Sequence, residues 1–168
     1  MHHTHVCTAS YCVPVDAAAL ELLDDALIRL RRLWVSGDHR VALERGVGTT
    51  VEMSSVLVVD AVARAAAAGE EPTVGAVAAR LDVDPSTGSR FVERAASAGL
   101  VVRSPSPTDA RRTVLRLTAA GEGLAADATR FRLGYLQRLL DDWPDDERAA
   151  LARLLGRFAD AVQSTPLP

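Results

Sequence analysis

The sequence predicts a mainly α-helical fold carrying one small β-hairpin, and three observations lead there. Long stretches repeat apolar residues at helical spacing. One short stretch near position 115 alternates with a period of two instead. The apolar mass is mostly Ala, Val and Leu: 48% of residues are hydrophobic but only 4% aromatic. That favours close-packed helices over an aromatic-rich sandwich or barrel. A length of 168 residues suits one compact domain or two small lobes.

Residues 1–14 are polar, His-rich and end at Pro14, which reads as a flexible arm. From Val15 to Val35 the apolar set Ala19, Leu22, Leu23, Ala26, Leu27, Leu30, Leu33 and Trp34 recurs at helical spacing. Asp24, Asp25, Arg29, Arg31 and Arg32 fall mostly on the other side, so the helix is amphipathic. Gly37, Gly46 and Gly48 break the pattern.

A second helix is predicted over 51–69, with Thr49 or Thr50 as its cap and Gly69 as its end. A short third helix follows Pro72, from Thr73 to Leu81. "DVD" turns the chain, and a fourth helix runs from Pro85 to about Ala98. Asp84 is placed to cap it, with Pro85 at the first helical position, where proline costs nothing.

"LVVRS" and "RTVLRLT" form the arms of a hairpin, the loop "PSPTDAR" lying between them. Pro105 and Pro107 are assigned to that loop because neither can donate to a ladder. Thr118 caps a long helix to about Leu140, "DDWPDDE" interrupts, and a last helix spans about 145–162. That last helix carries Leu151, Leu154, Leu155, Phe158 and Val162 on one face. A short helix, a tight turn, a second helix and then a hairpin make a winged helix-turn-helix.

The fourth helix is sharply two-sided. Gly88, Phe91, Val92 and Ala95 share the face expected to be buried, while Ser86, Arg90, Glu93, Arg94 and Ser97 oppose it, flanked by Thr87 and Ser89. Small hydroxyls and one Arg leave its first half slim enough for the major groove. An ordinary surface helix would also be coated in Ser and Arg, so the hairpin decides between the two readings. From Ser86 to Arg116 the chain holds six arginines (90, 94, 103, 111, 112, 116) against Glu93 and Asp109. This net +4 leaves −7 for the rest of a chain whose total is −3. A basic surface on an acidic body suits a DNA-binding protein that must not coat every phosphate. All 19 basic residues are Arg, which reflects base composition of the coding sequence more simply than function.

Other classes find little support. There is no nucleophile–base pairing motif, no Gly-rich phosphate loop and no metal-ligand spacing, so an enzyme, a metal centre or a resident cofactor is not expected. No apolar run approaches the ~20 residues that span a bilayer. The start "MHHTHVCTASYC" lacks the layout of a signal peptide, and Cys7 and Cys12 are too few for a disulfide scaffold, so a cytoplasmic protein without membrane contact is expected. Asp141, Asp142, Asp145 and Asp146 read as a solvated turn beside a helix start.

The run "DPSTGSRFVERAASAGLVVR", the Asp-x-Arg-Arg at Asp109 to Arg112, and the exit "LRLTAAGE" resemble the MarR (multiple-antibiotic-resistance regulator) family. The resemblance covers about 50 residues, and the flanking helices fit the family's order. It implies a homodimer that binds double-stranded DNA, most simply as a repressor on a pseudopalindromic operator. Residues 51–117 would form the DNA-binding lobe, with 15–50 and 118–163 joining as a helical dimerisation domain. Arg111 would enter the minor groove from the wing tip, with Asp109 bracing it. Thr87, Ser89, Arg90 and Arg94 would lie in or beside the major groove, with Ser86, Arg103 and Arg112 completing the surface. For Arg112 and Arg116 a solvated strand face is the plainer alternative.

The family pattern also implies release of DNA by a small-molecule effector in a cleft between the two parts. Trp34, His39, Arg40, Met53 and Arg64 are the candidates here, although Trp34 serves core or dimer packing more simply. Two alternatives stay open. One is a redox or metal sensor using Cys7, Cys12, His2, His3 and His5, although nothing nearby depresses a thiol pKa. The other is a winged-helix protein-interaction module without DNA binding.

Overall fold

The computed structural model of the chain describes residues 16–35 and 51–165. Helix α1 (Ala17–Val35) lies in one compact unit and every later element in a second. Helix α1 opens where Asp16 Oδ1 accepts the Ala18 N–H at 3.1 Å. Its Leu20, Leu22, Leu23, Leu27, Ile28 and Leu30 are all exposed.

The second unit contains α2 (Met53–Ala67), α3 (Val74–Arg80), α4 (Pro85–Ser97), β1 (Val101–Pro105), β2 (Thr113–Leu117), α5 (Ala119–Leu139) and α6 (Asp145–Ser164). The element order is the predicted one. Helix α2 starts after Glu52, which offers no side-chain cap; the expected caps Thr49 and Thr50 lie outside the described residues.

Helices α2, α3 and α4 stop in the same way. A residue of positive φ follows each cap, and the next N–H reaches back to the third-last carbonyl. Gly69 (φ 72°) and Gly99 (φ 70°) do this for α2 and α4, with Glu70 N–H on Ala65 O and Leu100 N–H on Ala95 O, both at 2.9 Å. In α3 the residue is Asp82 (φ 52°), and Val83 N–H meets Ala78 O at 3.1 Å. The predicted "DVD" turn therefore contains a strained non-glycine.

The core is built from small β-branched and alanine side chains. Val58, Val59 and Val62 of α2 pack with Val77, Val92, Ala95, Val101, Leu115 and Leu124, all nearly or fully buried. Each such Val or Leu contributes roughly 1.5–3 kcal/mol of transfer free energy. Of the predicted buried face of α4, Gly88, Val92 and Ala95 are buried, and Phe91 packs half-buried on the rim.

Strands β1 and β2 pair antiparallel, Val101 opposite Leu117 through Pro105 opposite Thr113. Pro105 is thus a strand residue, not part of the loop. Thr118 N–H meets Leu100 O and Ser106 N–H meets Arg112 O, so the ladder bonds fall on even-numbered pairs and Pro105 occupies a position that donates nothing to β2. The alternation in β2 also fails to separate inside from outside at its centre, since both Val114 and Leu115 are buried. Leu115 N–H donates outward from the hairpin to Pro72 O at 2.7 Å, tying β2 to the connector between α2 and α3.

Thr118 caps α5 as expected, its Oγ1 accepting from Gly121 N–H at 3.1 Å and donating to Gly99 O at 2.6 Å. Glycine is required at 121, because a Cβ there would collide with the Leu100 carbonyl oxygen. Beyond the lobe, Leu133, Leu136 and Leu139 of α5 and Leu154, Leu155, Phe158 and Val162 of α6 are exposed. No helix among the described residues is long and apolar enough to cross a membrane.

Candidate nucleic-acid interface

Helices α3 and α4 approach so closely that a Cβ on Gly88 would collide with Ala78. Asp84 then locks the first turn of α4. Its Oδ1 accepts from Ser86 N–H (3.0 Å), Ser86 Oγ (2.5 Å) and Thr87 N–H (2.9 Å), and its Oδ2 from Thr87 Oγ1 (2.6 Å). These bonds, those from the Ser86 and Thr87 hydroxyls foremost, hold the Asp84 carboxyl well below the usual carboxylate range.

The Ser86 and Thr87 hydroxyls are therefore committed as donors. Ser89 Oγ likewise donates to Pro85 O at 2.9 Å. What they offer outward is acceptor lone pairs, which match the exocyclic amino groups of cytosine and adenine. Thr87 Oγ1 also accepts from Arg90 Nη2 at 3.1 Å, which lays that guanidinium along the helix. Ser86, Arg90 and Arg94 are exposed, while Thr87 and Ser89 are half-buried.

The wing is held by side chains. Ser106, buried, accepts from Thr108 N–H and Asp109 N–H at 3.1 Å each. Asp109 Oδ1 accepts the Arg111 N–H at 3.0 Å, and Arg112 N–H meets Asp109 O at 2.9 Å. The expected brace of Arg111 by Asp109 thus acts on the main chain and not on the guanidinium.

Sorting the six arginines by partner separates them. Arg94 pairs with Glu52 (3.1 Å), Arg103 loosely with Glu93 (3.9 Å), and Arg112 with Glu71 (3.1 Å). Among the described residues Arg90 meets only Thr87, and Arg116 Nε only Ser104 Oγ at 3.0 Å. The Arg111 guanidinium has no partner among the described residues. Glu52 and Glu71 were not found by sequence reading. They lie 42 and 35 positions before Arg94 and Ser106, their partners across the lobe, and no local pattern marks them.

The candidate effector residues are not brought together by what is described. His39, Arg40, the Trp34 side chain and the arm with Cys7, Cys12 and its histidines lie outside the described residues. Met53 packs half-buried on the core at the start of α2. Arg64 lies on the same helix, roughly 16 Å further along, its Nε on Asp60 Oδ2 at 2.8 Å.

Two closely crossed helices, the second with an exposed polar face, followed by a basic hairpin, define a winged helix-turn-helix protein. Residues 50–112 match the MarR family model, so this lobe is similar to the winged-helix lobe of that family. A Thauera aromatica protein named for transcriptional regulation of the hcr operon is 34% identical over 91 residues, covering 54% of this chain and 55% of that one. The chain thus spans little more than half the length of that curated relative. A MarR family protein from Bacillus stearothermophilus superposes with a TM-score of 0.70 at 18% identity, over 89% of this chain and 99% of that one. RV1404 from Mycobacterium tuberculosis does so with a TM-score of 0.61 at 25% identity, over 92% and 97%.

Proposed function

We propose that the chain is a MarR-type transcriptional regulator that binds duplex DNA through α4 and the wing, acting by binding rather than catalysis. The observation that carries this is Arg111. It is exposed at the tip of an internally bonded loop and has no side-chain partner among the described residues, while its neighbour Arg112 is neutralised by Glu71. A cation held out on a stiff loop fits insertion into a narrow minor groove, which is read by potential and width. Helix α4 meets the major groove with Ser86, Thr87, Ser89 and Arg90. Arg94 and Arg103 exchange their carboxylate partners for phosphates.

The regulator acts as a homodimer, with residues 15–50 and 118–163 assigned to the dimerisation domain and 51–117 to the DNA-binding lobe. The exposed apolar stripes of α5 and α6 support this, since monomeric proteins rarely leave such faces in water. Repression relieved by a small-molecule effector is the expected mode, in keeping with the family.

The test is binding to the duplex upstream of the chain's own gene over a range of salt. Arg111→Ala is expected to weaken binding at least tenfold and to lower the salt slope by about 1 per protomer. Unchanged affinity and slope would refute the DNA reading and favour a protein-interaction module.

A further inference from the structure

Three residues between α2 and α3, Glu70, Glu71 and Pro72, each anchor a different part of the lobe. Glu70 pairs with Arg80 at 2.9 Å, Pro72 O accepts from Leu115 N–H, and Glu71 turns into the base of the wing. The Glu71 side chain is only 22% exposed. Its Oε1 accepts from Ser106 Oγ at 2.5 Å and Thr108 Oγ1 at 2.7 Å. Its Oε2 is buried without an aligned hydrogen bond and faces Arg112 Nη1 at 3.1 Å. One carboxylate thus collects two hydroxyls and a guanidinium from a single seven-residue loop, and Ser106 passes the restraint on to Asp109 and so to the Arg111 backbone.

We propose that Glu71 is a positioning residue for DNA recognition, fixing the wing to the helix-turn-helix so that Arg111 is presented at a set height and angle. The inference rests on the DNA-binding reading above. A two-stranded hairpin is marginal alone, and its tip has no other side-chain anchor to α2 or α3 among the described residues. The arrangement also explains why an acid is tolerated beside a DNA-facing surface: its charge is spent on Arg112 and the two hydroxyls.

Simple electrostatics makes the opposite prediction, which sharpens the test. Removing a negative charge near DNA should tighten binding. If Glu71 positions Arg111, Glu71→Ala instead weakens binding about tenfold, and the loss vanishes in an Arg111→Ala background because the contact it serves is already gone. Glu71→Gln keeps an acceptor for Ser106 and Thr108, and is expected to recover most of the affinity.

The second arm needs no DNA. Amide hydrogen exchange in the free full-length chain should speed up at Thr108, Asp109 and Arg112 in Glu71→Ala, with Val92 and Ala95 unchanged. Wing amides as protected as in the wild type, tighter binding, or additive losses with Arg111→Ala would each overturn the proposal. A wild-type chain that binds no duplex would sink the regulatory reading, and the exchange result would still decide whether Glu71 holds the wing. Should Glu71→Ala fail to fold, the same exchange comparison on Glu71→Asp decides it: its shorter side chain should speed exchange at Thr108, Asp109 and Arg112, and unchanged protection there would overturn the proposal.

Discussion

Gly88 of α4 lies so close to Ala78 of α3 that a methyl group on it would stand 2.5 Å from the Ala78 Cβ and 3.1 Å from its Cα. Neither neighbour is the end of a flexible side chain, so the two helices must separate to admit it. Gly88→Ala is expected to destabilise the fold by about 1–3 kcal/mol despite the better helix propensity of alanine. Urea denaturation checks this, and Ala78→Gly in the same background should recover part of the loss.

Asp82 should yield the reverse sign. It sits at φ 52° in the position that Gly69 and Gly99 fill at the ends of α2 and α4. Asp82→Gly removes the clash between Cβ and backbone and is expected to raise stability by about 0.5–1 kcal/mol, with an unchanged denaturant slope. A β-branched residue there, as in Asp82→Val, should lower it.

Acid should loosen the lobe through two carboxylates. Hydrogen bonds from Ser106 and then Thr108, helped by Arg112, hold Glu71 below the usual carboxylate range, and the Ser86 and Thr87 hydroxyls hold Asp84 lower still. A depressed folded pKa means that the stabilisation is fully present above the unfolded values near pH ~4 and is lost as pH falls through the folded ones. The denaturation midpoint should therefore drop below about pH 5. In the Glu71→Gln, Asp84→Asn double variant that drop should be shallower; an identical pH profile would contradict the assignment.

Asp60 joins α2 to the long helix. Its two oxygens take Arg64 Nε at 2.8 Å and Arg132 Nη2 at 2.6 Å, with Asp60 and Arg132 both about a quarter exposed. Asp60→Asn leaves two guanidiniums facing each other without a counter-charge. A loss of about 1–2 kcal/mol is expected, between the values for exposed and buried pairs. A double-mutant cycle with Arg132→Ala should show coupling, whereas additive losses would rule the pair out as a tie.

The sequence by itself determined the order of elements, the caps at Asp84 and Thr118, and the faces of α4. These depend on neighbours within one turn, where spacing and side-chain chemistry act directly. It also placed a basic hairpin after a slim polar helix, because charge and periodicity are local sums. Only the tertiary structure decided which of those arginines carry free charge. Arg94 and Arg112 look equivalent to Arg90 and Arg111 along the chain, yet Glu52 and Glu71 reach them across the lobe and neutralise them. Pro105 could enter β1 only because the ladder register put it on a position that donates nothing. Such pairings join residues that are neighbours only once the core has closed, and the spacing of residues along the chain carries no record of them.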